Sequence, residues 1–153
     1  MRGLELRIPP PVVAVLVAAA MWGIALVTPA LQVPGHIRLI VAAAFGLAGF
    51  SIGIAGVIGF LRARTTVNPM KPLTTSTLVT TGTYKYSRNP IYLGDLCVLV
   101  AWALYLCNVY TLIGPLIFVL YINRFQIAPE ERALAALFGA AYADYQSTVR
   151  RWL

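Results

Sequence analysis

The chain has 153 residues, of which 59% are hydrophobic and only 11% charged, against roughly 25% charged in an average soluble domain. That balance excludes an ordinary soluble globule and indicates an all-α integral membrane protein. The net charge of +7 accompanies no nucleic-acid-binding motif, so membrane topology and attraction to anionic lipid headgroups account for it.

In chain order, residues 8–35 run 28 residues without a charge and residues 39–61 run 23 more. Each is long enough for the ~20 residues a helix needs to cross the hydrocarbon. The first is too long and too proline-bounded for a cleaved signal peptide and is read as retained. The second carries Gly46, Gly49, Gly53, Gly56 and Gly59 on one helical stripe, which lets a neighbouring backbone approach closely, either inside the monomer or as a dimer seam. His36 stands alone beside Arg38 in the short connection, too isolated for a metal site.

Residues 62–90 are the long polar connection, rich in Thr, Ser and Pro, with a turn expected at Gly82. Asn89-Pro90 then predicts a helix start, Asn89 as N-cap and Pro90 in the first turn. Residues 91–122 read as a tight helical hairpin turning near Cys107-Asn108-Val109-Tyr110, with Pro115 as the expected kink. A break at Gly114-Pro115 should face protein or a cavity, because unsatisfied backbone cannot face lipid. Cys97 and Cys107 lie ten residues apart on this hairpin, about 15 Å along a helix, too far to bridge. Pro129, Glu130 and Glu131 predict a further helix start. Leu134, Leu137, Phe138, Ala141, Tyr142 and Tyr145 then make one face of an amphipathic helix, with Arg150, Arg151 and Trp152 as interfacial anchors. The layout is four spans plus that helix in a single domain over 1–153.

Two motifs carry the chemistry. They are Arg88-Asn89-Pro90-Ile91-Tyr92-Leu93-Gly94 and the segment from Glu130-Glu131 through Leu134, Phe138-Gly139 and Tyr142 to Tyr145. In this order, separated by one hydrophobic hairpin, they resemble the isoprenylcysteine carboxyl methyltransferase family, whose relatives include membrane phospholipid methyltransferases. The approach segment, Thr66-Val67-Asn68-Pro69 through Leu78 to Tyr84, is also similar to bacterial members. The resemblance covers roughly residues 62–153, a cofactor-binding part, and leaves 1–61 as two scaffold spans that match only in being hydrophobic.

The resemblance implies S-adenosylmethionine as cofactor, with Tyr92, Gly94, Glu130 and Glu131 in its pocket. Such a site must hold a sulfonium, an amino-acid tail and an adenosine, using aromatic faces, carboxylates and backbone near glycine. Gly82, Tyr84 and Asn89 join the candidate set on those grounds. Asn89 stands where eukaryotic members have His; it can donate a hydrogen bond but cannot take up a proton, so a general base at this position is in doubt.

Arg88 and Arg124 are the candidate catalytic residues, each suited to orient a carboxylate or phosphate of a lipophilic acceptor. Each also reads as a boundary arginine snorkelling to the interface. Asp95, the one acid inside an apolar segment, is expected to be functional or paired, Arg88 being one partner. Glu130 and Glu131 also read as ordinary helix-start charges, a reading that the downstream match to the family pattern weakens. Methylation of small thiols or phospholipid amines, a four-span transporter and a structural membrane protein are the alternatives; transport is disfavoured because spans one and two hold no ionisable group.

Of twelve Lys and Arg, only Arg38 lies outside three segments, before span one, between spans two and three, and after span four. Four spans put those segments in one compartment, the cytoplasm by the positive-inside rule. Cysteines introduced at Lys71 and at the C-terminus should therefore react with impermeant reagents only from the inner side. Labelling from outside an intact cell would overturn the topology.

Overall fold

Three prolines, Pro9 to Pro11, open the first helix. They lack the N–H groups that a first turn would leave unpaired. The computed structural model describes residues 5–65, 70 and 72–153; Arg2, the Thr66-Val67-Asn68-Pro69 segment and Lys71 lie outside the described residues. Helix α1 spans Pro10–Val27, α2 Gly35–Arg62, α3 Pro90–Leu106, α4 Ile113–Ile122, α5 Ala128–Phe138 and α6 Ala140–Thr148. Helices α1, α2 and the continuous helical run Val109–Phe138 are long and apolar enough to cross a membrane, and α3 is a shorter apolar helix. No strand occurs among the described residues. This is an all-α membrane fold.

The hairpin turns where the sequence expects it. Cys107 adopts a left-handed conformation, φ 52°, and the Asn108 side chain accepts from the Tyr110 amide at 2.9 Å. Its Nδ2 donates to Thr28 Oγ1 at 2.7 Å, tying the turn to the end of α1. Pro115, however, falls in the first turn of α4, where a missing N–H breaks nothing. The irregularity lies one segment later, as a π turn over Asn123–Ile127.

Its cause is local. Pro129 has no N–H to give to the carbonyl four residues before it, that of Phe125, and the Leu6 amide donates to this carbonyl instead, at 3.0 Å. Pro129 and the two glutamates open α5 as expected, but the helical run reaches them without a break through the π turn. The expected single amphipathic helix is also divided, because Gly139 takes φ 51° and ψ −122°, a conformation side-chain-bearing residues rarely adopt.

The core is built by Val13 and Met21 of α1, Leu99 and Ala103 of α3, and Phe118 and Ile122 of α4. Helix α2 packs on the other side of α3 through the glycine stripe. A Cβ on Gly49 would lie 2.6 Å from Cys97 Cβ and 2.8 Å from Gly94 O, and one on Gly94 would lie 2.6 Å from Gly49 O. The stripe is thus occupied by the chain's own α3 and, at Gly59, by the Tyr84 ring. Leu39, Ile40, Leu47, Phe50 and Leu61 of α2 are exposed, as lipid-facing residues must be.

Gly49→Leu should destabilise the protein by about 1–3 kcal/mol, the usual cost of overpacking, or prevent folding. Gly23→Ala, with nothing within 4 Å of its added Cβ, should be neutral or stabilising. Denaturation midpoints in one detergent test the contrast.

Candidate functional site

The segment that leads into α3 is held by what it touches on both sides. Gly82 turns it, with φ 64°, and residues Gly82–Lys85 form one 3₁₀ turn. That turn drops the Tyr84 ring beside Phe60, edge to face at 5.3 Å between centroids. Tyr145 donates its hydroxyl hydrogen to Tyr84 O at 2.7 Å, fastening α6 over the turn.

Residues 87–89 then bind the C-terminal segment. The Arg88 amide donates to Arg150 O at 3.0 Å, and Asn89 Nδ2 donates to Arg151 O at 2.9 Å. Asn89 occupies the N-cap position of α3, but its side chain makes no cap hydrogen bond, contrary to expectation. The unpaired main-chain acceptors beyond α6 compete for it.

Two carboxylates on α5 meet this segment in different ways. Glu130 Oε1 accepts from the Tyr92 hydroxyl at 2.6 Å and from Gln126 Nε2 at 2.5 Å. Glu131 is bracketed by two arginines: Arg88 Nη2 at 2.9 Å and Arg151 Nη2 at 2.5 Å. Arg88 Nη1 also donates to Gln146 O and Val149 O, at 3.1 and 3.0 Å. Both Nη groups of Arg88 therefore hold the protein together and are not presented to a ligand. Its Nε is buried without a partner.

A pocket opens between these elements. Its lining includes Tyr84, Arg88, Asn89, Tyr92, Glu130 and Glu131 of the sequence candidates, with Tyr142 and Tyr145 beside them. Phe60, Leu78, Val79, Ile91 and Leu134 make the rest of it apolar. Burial raises Tyr84 and Tyr145 well above the ordinary phenol range and pushes Tyr142 up to about 12. All three stay neutral at physiological pH, supplying aromatic faces and hydroxyl donors.

Three candidates are not in the pocket lining. Gly94 is a packing glycine against Gly49 and Gly53. Gly82 is exposed and acts through the turn alone. Arg124 is 47% exposed and pairs with Glu5 at 2.8 Å; Arg132 reaches the same carboxylate at 2.5 Å, and the two arginines, Arg124 foremost, hold the Glu5 carboxyl below its ordinary range. Asp95 forms no pair with Arg88, and its Oδ2 is buried without a partner. Sequence reasoning placed Tyr142 and Tyr145 on an apolar helix face and missed them as pocket walls, although their spacing of three put them one above the other. It also took Arg151 for an interfacial anchor. No group of three His, Cys, Asp or Glu suited to a metal occurs among the described residues.

Arg88→Lys keeps the charge but cannot reach Glu131 and two carbonyls at once. Loss of such charge-assisted bonds should cost about 1.5–3 kcal/mol, with faster amide hydrogen exchange confined first to residues 145–151. Unchanged exchange there would show that the arginine is dispensable to the tail.

An uncharacterized protein of Haemophilus influenzae is 49% identical over 63 residues, which is 41% of this chain and all of that protein. No solved structure matches the chain. The family model described as phospholipid methyltransferase matches residues 37–141, a region that holds nearly all of α2, all of α3 and both pocket carboxylates. With more than half its length so matched, the chain belongs to the phospholipid methyltransferase family, a family of membrane methyltransferases.

Proposed function

We propose that this protein is an S-adenosylmethionine-dependent methyltransferase of the cell membrane, acting on a lipophilic acceptor from a pocket on the cytoplasmic face. The observation that carries the reading is the joining of two carboxylates, an arginine and four tyrosines in one largely apolar pocket at the polar end of the helices. The residues fit the cofactor. When bound, it supplies the methyl group and a sulfonium.

Tyr84, Tyr92 and Tyr142 offer aromatic faces for a cation. Glu130, oriented by Tyr92 and Gln126, supplies a carboxylate for an amino group or ribose hydroxyl. Arg88 is a positioning residue that holds the C-terminal tail and Glu131 beside the pocket. The apolar wall from Phe60, Leu78, Ile91 and Leu134 suits a lipid-like acceptor entering sideways from the bilayer, while the cofactor arrives from water. A carboxylate acceptor is nucleophilic without a strong base, consistent with Asn89 at a position that cannot take up a proton. Carboxyl O-methylation of an isoprenylcysteine-like acceptor is therefore favoured over transfer to an amine.

Calorimetric titration with S-adenosylhomocysteine should show saturable binding. Glu130→Gln should weaken it by about tenfold to a hundredfold, the equivalent of one charge-assisted hydrogen bond. Transfer of a labelled methyl group should then occur to a prenylcysteine analogue and not to a small thiol. Absence of S-adenosylhomocysteine binding to folded protein would overturn the cofactor assignment, and preferential labelling of a phospholipid amine would overturn the acceptor.

A further inference from the structure

Glu5 and Leu6 lie outside the pocket lining, yet they grip the helical run that carries Glu130 and Glu131. Leu6 takes φ 57°, a left-handed conformation that a leucine holds only where its surroundings impose it. In that conformation its amide donates to Phe125 O at 3.0 Å, the carbonyl that Pro129 leaves without its α-helical donor. Glu5 holds two arginines with one carboxylate: Arg124 on Oε1 at 2.8 Å and Arg132 on Oε2 at 2.5 Å. Arg124 belongs to the π turn Asn123–Ile127 and Arg132 to α5, so the carboxylate ties the irregular segment to the regular helix beyond it.

Helix geometry explains how one carboxylate reaches both. At ~100° per residue, residues eight apart in an unbroken α-helix stand about 80° apart around the axis. The π turn absorbs one residue, so Arg124 and Arg132 stand as if seven apart, about 20° from one line, and reach the same neighbour. Without that extra residue the helix beyond would be rotated by about 100°. Glu130 would then leave the Tyr92 hydroxyl, and Glu131 would leave Arg88 and Arg151. The Glu5 clamp and the two pocket carboxylates therefore require the same register.

We propose that Glu5 and Leu6 are positioning residues for the pocket, a strap across the outside of the π turn that locks the register turning Glu130 and Glu131 toward it. The competing α register is withheld at Pro129, which has no N–H for Phe125 O, and Leu6 supplies that donor from outside the helix. The strap acts on the register whatever the pocket binds; only its effect on ligand affinity rests on the cofactor reading above.

Leu6→Pro removes the donated amide and the left-handed conformation together, whereas Leu6→Gly keeps the N–H and adopts a positive φ freely. No hydrogen bond or ion pair of Glu5 or Leu6 among the described residues reaches residues 145–151. Amide hydrogen exchange there, in ligand-free full-length protein, therefore reports the register through the bracket on Glu131. Leu6→Pro should speed that exchange about tenfold, the equivalent of one buried hydrogen bond, and Glu5→Ala about threefold, as for partly exposed ion pairs. Each should weaken S-adenosylhomocysteine by a similar factor, and Leu6→Gly should match the wild type in both readouts. Pro129→Ala added to Leu6→Pro restores a helical donor for Phe125 O, so the thermal midpoint should recover while exchange at 145–151 stays fast and affinity stays weak. Recovery of all three together would reduce Leu6 to a cap for one carbonyl and overturn the proposal. Unchanged exchange at 145–151 in Leu6→Pro, or in Glu5→Ala where the proline variant does not fold, would overturn it as well. A wild-type protein that binds no S-adenosylhomocysteine would remove the cofactor reading and leave the strap to be decided by exchange alone.

Discussion

The bracket of Glu131 by Arg88 and Arg151 is the interaction on which the pocket depends. It joins three stretches that are far apart in sequence: the entry to α3, the α5 helix and the C-terminal tail. Arg88 and Glu131 are only 13% and 14% exposed, so their attraction is less screened than that of a surface pair. Leaving one partner buried and unpaired would be strongly unfavourable. The guanidinium also satisfies main-chain carbonyls at the end of α6 that would otherwise lack donors. A planar fork with several fixed donors suits that task better than an ammonium does.

Around this bracket, irregular backbone is used where regular helix would aim the wrong side chains. The π turn before α5 inserts an extra residue into the helical repeat, which rotates the helix beyond it. It precedes Glu130 and Glu131 directly. Proline at 129 removes one donor, the N-terminal segment replaces it through Leu6, and Glu5 adds ion pairs to Arg124 and Arg132 on either side. Arg124, a candidate for acceptor binding by its sequence position, thus anchors the N-terminal segment across the outside of this bend.

The glycine contacts between α2 and α3 serve the same end by a different route. In lipid there is little hydrophobic gain from pairing helices, so close backbone approach and van der Waals packing carry the association. Gly49, Gly53 and Gly94 make the approach possible. Because Gly94 lies one turn along α3 from Pro90, that packing sets where Tyr92 points and hence which carboxylate its hydroxyl can reach.

Hydropathy and proline and glycine placement by themselves determined an all-α membrane chain, its helix boundaries near residues 10, 62 and 90, and the turn at Cys107-Asn108, whereas the first apolar stretch, read to residue 35, ends as a helix at Val27. These come from local rules: helix length against bilayer thickness, missing N–H groups and left-handed turns. Tyr84, Tyr92, Glu130 and Glu131, grouped by residue type and by the resemblance to one family, line one pocket. What only the tertiary structure decided is how each is used. Nothing local distinguishes an arginine offered to a ligand from one consumed by tail carbonyls, or a glycine that admits a cofactor from one that admits another helix. Tyr142, Tyr145 and Arg151 share the pocket or its bracket because Gly139 folds α6 back over the 82–89 turn, and that contact spans some sixty residues, as in the Tyr145 to Tyr84 hydrogen bond. Such long-range pairings depend on the summed geometry of every intervening helix, which no short stretch of sequence encodes.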